Sequence, residues 1–273
     1  MRGEGGIART AAAVFLFAAV PFSAFADEVV TLPTREGVTQ SYLLVPANSL
    51  VPKVIAVMFP GGFGQLNLPT DGTLPRLGPR GNFLVRTRHL FRDDEVGVAI
   101  VDAPSDRQAS GLSNEMRLSN AHVEDVGAVV RDLRKRFPGA KIMLVGTSRG
   151  TLSAAYVGRA FSKLSPNPVD AVIETSTLLS GGGLDSLGEF DWTSIKAPLL
   201  FVHHEHDACR SCPYVLAQRL GDSYPLITVR GGRAPESHPC EAMSAHGYLG
   251  KEREAVAAIK AWMLGRPYPT VVE

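Results

Sequence analysis

Residues 142–150 have the sequence IMLVGTSRG, in which an apolar run leads into the pentapeptide Gly146–Gly150. The run Ile142–Val145 is typical of a buried strand, and the apolar periodicity of Arg149–Phe161 predicts a helix directly after it. A serine on such a sharp strand-to-helix turn has strained backbone angles, and flanking glycines let the strand and the helix approach closely. We therefore expect the hydroxyl of Ser148 at the carboxyl edge of a sheet, where open α/β sheets bind ligands.

Apolar runs and helical periodicities alternate along most of the chain. The predicted strands are Val29–Thr31, Gln40–Val45, Lys53–Phe59, Val96–Val101, Ile142–Val145, Ala171–Ile173, Leu199–Val202 and Leu226–Val229. The predicted helices are Asn82–Phe91, Leu118–Phe137, Arg149–Phe161 and Lys251–Leu264. Such alternation implies right-handed crossovers and a mostly parallel sheet with helices on both faces. The predicted fold class is α/β, with a central sheet of about eight strands.

The N-terminus has the order of a secretory signal peptide. Arg2 and Arg9 are followed by the apolar run Ala11–Val20 and by the small-residue site Ala24-Phe25-Ala26. We expect cleavage after Ala26, export to the periplasm or the medium, and a single domain over 27–273. An uncleaved membrane anchor and a wrongly assigned start codon remain alternatives. The net charge of +1 gives no reason to expect nucleic acid or an anionic membrane as a partner.

A serine nucleophile needs a base and an acid that orients the base, in the chain order Ser, acid, His. The strand Leu199–Val202 runs into a polar loop in which Asp207 is the preferred acid and Glu205 the alternative. The base should follow the next strand and precede the last helix. His246 fits that placement better than His238, which lies in a polar loop before a proline.

The negatively charged oxygen that forms during acyl transfer needs two backbone N–H donors. One is expected from Arg149, the residue after the nucleophile. The other is expected from the glycine-rich loop after the first buried strand, where either Gly62 or Phe63 is the donor.

Together these motifs resemble the α/β-hydrolase superfamily over nearly the whole mature chain. The matching residues are Pro60-Gly61-Gly62, the pentapeptide around Ser148, the strand before Asp207, and Ala245-His246-Gly247. The resemblance implies hydrolysis of a small-molecule ester through a serine acyl-enzyme, without a cofactor. Only about 25 residues separate Ile173 from Leu199, too few for the cap domain of many members. The expectation is an uncapped serine esterase similar to dienelactone hydrolases. A peptidase similar to prolyl oligopeptidase and a non-catalytic binding scaffold are the alternatives.

The three cysteines lie in the last third of the chain. A disulfide between Cys209 and Cys240 would tie the acid loop to the histidine loop, and this is the preferred hypothesis. The rival pairing is Cys212–Cys240, and a Cys209–Cys212 redox pair is the least favoured option.

The histidines beside the acid loop raise the question of a metal site. His203, His204 and His206 lie close together in the sequence. However, neighbouring residues on a strand point to opposite faces, so His203 and His204 should not share one ion. We therefore expect no metal.

Overall fold

The computed structural model describes residues 26–71, 73 and 81–273. The predicted signal peptide, residues 1–26, lies outside the described residues except for Ala26. None of the helices in the described ranges has both the length and the hydropathy needed to cross a bilayer.

One sheet of nine strands runs through the described chain. Its strands are β1 (Glu28–Pro33), β2 (Thr39–Val45), β3 (Val54–Phe59), β4 (Val96–Val101), β5 (Lys141–Thr147), β6 (Ala171–Thr175), β7 (Leu199–His204), β8 (Leu226–Val229) and β9 (Val271–Val272). They are arranged in the order β1-β2-β4-β3-β5-β6-β7-β8-β9. The pairs β1–β2 and β2–β4 are antiparallel, and all the others are parallel. The α/β class and all eight predicted strands are confirmed. The two-residue β9 had escaped prediction because it is too short to show a pattern.

Helices cover both faces of the sheet. They are α1 (Phe83–Phe91), α2 (Asn114–Arg117), α3 (Asn120–Arg136), α4 (Gly150–Phe161), α5 (Tyr214–Leu220) and α6 (Glu252–Met263). The four predicted helices correspond to α1, α3, α4 and α6. The helices α2 and α5 are too short to show an apolar periodicity in the sequence.

The core is divided by the sheet into two apolar clusters. Residues of α3, α4 and α5 pack on one face, and residues of α1 and α6 pack on the other. Strands β3, β4, β6 and β7 are buried along their whole length. Burial on both faces explains why these strands appear as continuous apolar runs rather than as alternating patterns.

The connection between β6 and β7 determines how open the carboxyl edge of the sheet is. Between Thr175 and Leu199 the fully described chain contains two short 3-10 helices, Gly183–Asp185 and Trp192–Ser194. Three-residue helices cannot form a cap domain, so the edge is left uncapped by this connection, as predicted.

Candidate active site

Ser148 lies at the turn between β5 and α4 in a left-handed backbone conformation, with φ of 51°. Such a φ is uncommon for a residue with a side chain and is a mark of strain. The turn is closed by hydrogen bonds from the Ser148 N–H to the Thr175 carbonyl, 3.1 Å, and from the Thr151 N–H to the Ser148 carbonyl, 2.9 Å. The predicted strand–serine–helix turn is therefore present in the structure.

The glycines on either side of the turn are required by close packing. A Cβ at Gly150 would lie 1.9 Å from the Phe59 carbonyl oxygen. A Cβ at Gly146 would lie 2.7 Å from the carbonyl oxygen of Gly150. Neither contact is possible for a real side chain, so both positions of the motif need glycine.

Asp207 and His246 form a buried pair. The Nδ1 atom of His246 lies 2.8 Å from Oδ2 of Asp207, and the two side chains are 5% and 0% exposed. The other carboxylate oxygen of Asp207 accepts a hydrogen bond from the Cys209 N–H at 2.9 Å. His246 sits in a 3-10 helix whose N-cap, Ser244, accepts the His246 N–H. The structure therefore brings together the two residues that chain order had selected as acid and base.

Ser148 and His246 line the same cavity, which has a volume of about 220 Å³. The cavity lies between the loop after β3, the start of α1 and the loop that precedes His246; its walls are Gly61, Gly62, Asn82, Phe83, Thr147, Ser148, Cys240, Glu241, Ala242, His246 and Gly247. The Nε2 atom of His246 is buried and has no hydrogen-bond partner among the described residues. That nitrogen is therefore free to accept a proton within the cavity.

The alternative acid and base lie elsewhere. The carboxylate of Glu205 is bound to Arg230 at 2.8 Å. His238 is exposed and does not line the cavity. The geometry thus favours Asp207 and His246 over both.

The loop after β3 approaches Ser148 through Gly61, which the sequence analysis placed in the Pro60-Gly61-Gly62 motif but did not name as an oxyanion donor. A Cβ at Gly61 would lie 2.9 Å from Cβ of Ser148 and 3.0 Å from the Thr147 carbonyl oxygen. Gly62, with φ of 59°, also lines the cavity. The signal in the sequence was the Gly-Gly pair itself: Gly61 leaves room for Ser148, and Gly62 adopts a positive φ.

The two candidates for the first oxyanion donor, Gly62 and Phe63, differ in their position relative to the cavity. Gly62 lines the cavity, whereas Phe63 does not; it is 60% exposed and its ring lies 5.3 Å from the Arg149 guanidinium carbon. Arg149 follows Ser148 at the start of α4. Within the described chain, the backbone N–H groups of Gly62, Phe63 and Arg149 donate no hydrogen bond to another residue. Because Gly62 lines the cavity and Phe63 does not, Gly62 fits the first donor position better.

A disulfide joins Cys209 to Cys240, with a Cα–Cα distance of 4.5 Å. It connects the loop that carries Asp207 to the loop that leads to His246. Cys212 is a buried free thiol, and burial raises its pKa well above the usual value. A buried, protonated thiol is a poor nucleophile.

Three potential metal ligands lie close together, namely Cys209, Cys212 and His246. The sulfur of Cys209 is already bonded in the disulfide, and the thiol of Cys212 is held protonated because burial raises its pKa. This donor set does not suit a metal ion, which needs deprotonated thiolates.

The histidines at the end of β7 bond to the backbone instead of converging. Nε2 of His203 accepts the Thr177 N–H at 2.9 Å, and burial lowers the pKa of His203 to about 4. Nε2 of His204 lies 2.9 Å from the Gly231 carbonyl oxygen. Both side chains therefore support the loops around the site, and His203 remains neutral at physiological pH.

The sequence matches no protein-family model and no curated protein. Solved structures are nevertheless similar in fold. An α/β serine hydrolase without a lid from Xanthomonas campestris has a TM-score of 0.57 at 14% identity, over 87% of this chain and 97% of that one. Dienelactone hydrolase from Anabaena variabilis has a TM-score of 0.60 at 12% identity, over 88% and 98%. A thermostable carboxylesterase from a metagenomic library has 0.57 at 16% identity, over 90% and 91%. The chain therefore has an α/β-hydrolase fold.

Proposed function

We propose that this protein is a serine hydrolase that cleaves carboxylic esters. The observation that carries the proposal is the cavity shared by Ser148 and His246, with His246 held through Nδ1 by the buried Asp207. A serine in a strained turn, an imidazole with a free Nε2 and a carboxylate behind it are the three parts that acyl transfer requires.

In the proposed reaction, Oγ of Ser148 attacks the ester carbonyl carbon while Nε2 of His246 takes the hydroxyl proton. The carboxylate of Asp207 accepts the hydrogen bond from Nδ1–H, which holds the ring in the correct tautomer and stabilises the imidazolium. His246 then gives the proton to the leaving alcohol. A water molecule, deprotonated by the same nitrogen, attacks the acyl-enzyme, and the proton returns to Ser148 as the acid is released.

The oxyanion of each tetrahedral intermediate is proposed to accept hydrogen bonds from the N–H groups of Gly62 and Arg149. The N–H of Phe63 is the alternative to that of Gly62. Gly62 is favoured because it lines the cavity. Both N–H groups are already oriented by the loop and by the start of α4, so little reorganisation is needed when charge develops.

The substrate is proposed to be an ester with a short acyl chain. The cavity of about 220 Å³ is smaller than the roughly 300–1,000 Å³ of sites for drug-sized ligands. The connection after β6 adds no cap that would enclose a long apolar chain. The proteins of similar fold include an esterase domain, a carboxylesterase and a dienelactone hydrolase, which supports ester chemistry.

A fluorophosphonate probe and an ester chain-length series test the proposal. Wild-type protein should be labelled and should hydrolyse acetate and butyrate esters faster than decanoate esters. Ser148→Ala should abolish labelling and lower kcat by about 10⁶-fold, as removal of a triad nucleophile does. Ser49→Ala is the control, since Ser49 lies in the loop that leads to the start of β3, at the opposite edge of the sheet. Ester hydrolysis that survives Ser148→Ala would overturn the assignment.

We also propose that the protein is exported after removal of residues 1–26. The Cys209–Cys240 disulfide supports this, because disulfides persist in oxidising compartments. N-terminal sequencing of protein isolated from the periplasm or the medium should begin at Asp27. Recovery of an intact N-terminus in the cytosolic fraction would contradict it.

A further inference from the structure

The short helix α2 ends in an arginine that is completely buried. Arg117 has no exposed surface. Among the residues that the structure describes, no Asp or Glu forms an ion pair with it, although most arginines that bury a guanidinium pair it with a carboxylate. A buried cation without a counter-ion costs free energy. Its position therefore requires an explanation.

The guanidinium of Arg117 bridges the two structural elements that carry the proposed oxyanion donors. Its Nη2 donates to the carbonyl oxygens of Pro60 at 3.1 Å and of Gly62 at 3.3 Å, in the loop after β3. Its Nη1 donates to Oγ of Ser153 at 2.8 Å, one turn into α4. Since Arg149 lies at the start of α4, one planar side chain connects the two sides of the hole.

The two carbonyls that Arg117 holds flank the peptide group that carries the Gly62 N–H. Peptide groups are planar, so fixing the planes before and after this one limits how far it can rotate. The carbonyl of Gly61, which is antiparallel to the Gly62 N–H in the same trans peptide, accepts from the Gly64 N–H at 3.2 Å. The direction of the Gly62 N–H is therefore fixed from three sides.

Gly64 leaves room for this contact. A Cβ at Gly64 would lie 2.6 Å from Nη2 of Arg117. The residue also has φ of 67°, a conformation that side chains disfavour. The glycines of the loop after β3 thus serve two neighbours, with Gly61 making space for Ser148 and Gly64 making space for Arg117.

The positive charge of Arg117 has a positive neighbour, Arg149, and no paired carboxylate among the described residues. Burial is the main reason that its pKa falls to about 9, with the charge of Arg149 as the second cause. The nearby ring of His122 is neutral at physiological pH, because burial lowers its pKa to about 3. At neutral pH, Arg117 therefore adds a positive charge beneath the hole with which no carboxylate in the described part of the chain is paired.

We propose that Arg117 is a positioning residue that clamps the two sides of the oxyanion hole and adds an uncompensated positive charge beneath it. The inference rests on the proposed function. A fixed positive charge in a water-poor region attracts a negative charge that develops nearby more strongly than it would in water. Its benefit appears only when the oxyanion forms, so it should affect kcat rather than ester binding.

Arg117→Met and Arg117→Lys test the clamp. Arg117→Met should lower kcat about 10- to 100-fold with KM changed less than about threefold, a smaller loss than deletion of a hole donor. Ki for a trifluoromethyl ketone, whose adduct with Ser148 carries the oxyanion, should rise by the same factor as kcat/KM falls. Arg117→Lys keeps the charge but loses the planar guanidinium group, so its kcat should lie between those of wild type and Arg117→Met.

Arg134→Met is the control, since Arg134 also donates to backbone carbonyls, those of Pro168 and Ala140, but on α3 and outside the cavity lining; unlike Arg117, it is also paired with a carboxylate, that of Asp170. It should lower the melting temperature without changing kcat or the ketone Ki. If Arg117→Met does not fold, Ser153→Ala removes only the α4 end of the clamp and should lower kcat several-fold at unchanged KM.

Three outcomes would decide against the clamp. A folded Arg117→Met with kcat within twofold of wild type would overturn the inference while leaving the proposed function intact. The inference would also be overturned if the loss of activity in Arg117→Met were fully explained by the fraction of protein that is unfolded, as expected for a structural role. A wild-type protein that neither hydrolyses esters nor reacts with fluorophosphonate would overturn the proposed function and this inference with it.

Discussion

The two halves of the candidate site are held together by different means. In the acid–base half, Asp207 and His246 lie on loops that are joined by a disulfide and by a buried carboxylate–imidazole contact of 2.8 Å. In the oxyanion half, Gly61 is packed against Ser148 and no covalent bond is involved. The first half therefore depends on a disulfide and a buried carboxylate–imidazole contact, and the second depends on glycines that leave room for Ser148 and on the hydrogen bonds of Arg117. Substitutions should reveal this difference.

The largest effect is expected in the acid–base half. Asp207→Asn keeps the shape of the side chain but offers an amide that can impose the wrong imidazole tautomer, and in a comparable triad this lowers kcat about 10⁴-fold. Steady-state kinetics with a short-chain ester would measure it. Glu205→Gln is the control, because Glu205 is bound to Arg230 and should leave kcat near wild type. A loss below tenfold for Asp207→Asn would assign the acid to another residue.

The oxyanion half should be most sensitive to added volume. Gly61→Ala would place a Cβ 2.9 Å from Cβ of Ser148, so the loop or the nucleophile must move. We expect kcat to fall about 10²- to 10³-fold, comparable with the loss of one hole donor. In Gly139→Ala the new Cβ would have no atom within 4 Å, so this variant should behave as wild type in the same assay. Equal activities of the two variants would show that the close approach of Gly61 is not needed.

Sequence reasoning located the parts of the site that follow chain order and strand ends. Ser148, Asp207 and His246 were selected because each follows an apolar run in a predictable place, and the structure puts them at one edge of the sheet. Arg117 was beyond reach for a physical reason. A lone arginine in a polar stretch ordinarily lies on a surface, and the four-residue α2 shows no periodicity that would indicate burial. Its bonds to the loop after β3 depend on contacts between elements far apart in sequence.

The disulfide should matter more for stability than for chemistry. Cys209→Ser together with Cys240→Ser opens a link between residues 31 apart, which should lower the free energy of unfolding by about 3 to 4 kcal/mol. Well below the melting temperature, kcat should fall far less than in Asp207→Asn, since the Asp207–His246 contact remains. Denaturant unfolding and ester kinetics on the same samples separate the two effects. Cys212→Ser, which keeps the disulfide, is the control, and a collapse of kcat without lost stability would refute this division.

The smallest effect concerns pH and two buried histidines, one beside each half. Burial lowers the pKa of His122 to about 3 and that of His203 to about 4. Below about pH 6.5 the unfolded chain binds protons that the folded protein excludes, so stability falls as the pH falls, until the folded values are reached. Each histidine should lower the free energy of unfolding at pH 5 by about 2 kcal/mol relative to its value at pH 7. The buried carboxyl of Glu174 has a raised pKa and acts in the opposite direction, so wild type alone gives only a net change.

The contribution of His122 is isolated by comparing the change in unfolding free energy between pH 7 and pH 5 in wild type and in His122→Leu. Neither ring nitrogen of His122 has a hydrogen-bond partner among the described residues, so leucine removes the titration without leaving a donor or acceptor unpaired. The variant should lose about 2 kcal/mol less than wild type over this range. His203 does not allow the same replacement, because its Nε2 accepts the Thr177 N–H. An unchanged difference would mean that His122 takes up its proton over the same pH range in the folded and the unfolded protein, so that at pH 5 it would carry a positive charge near Arg117.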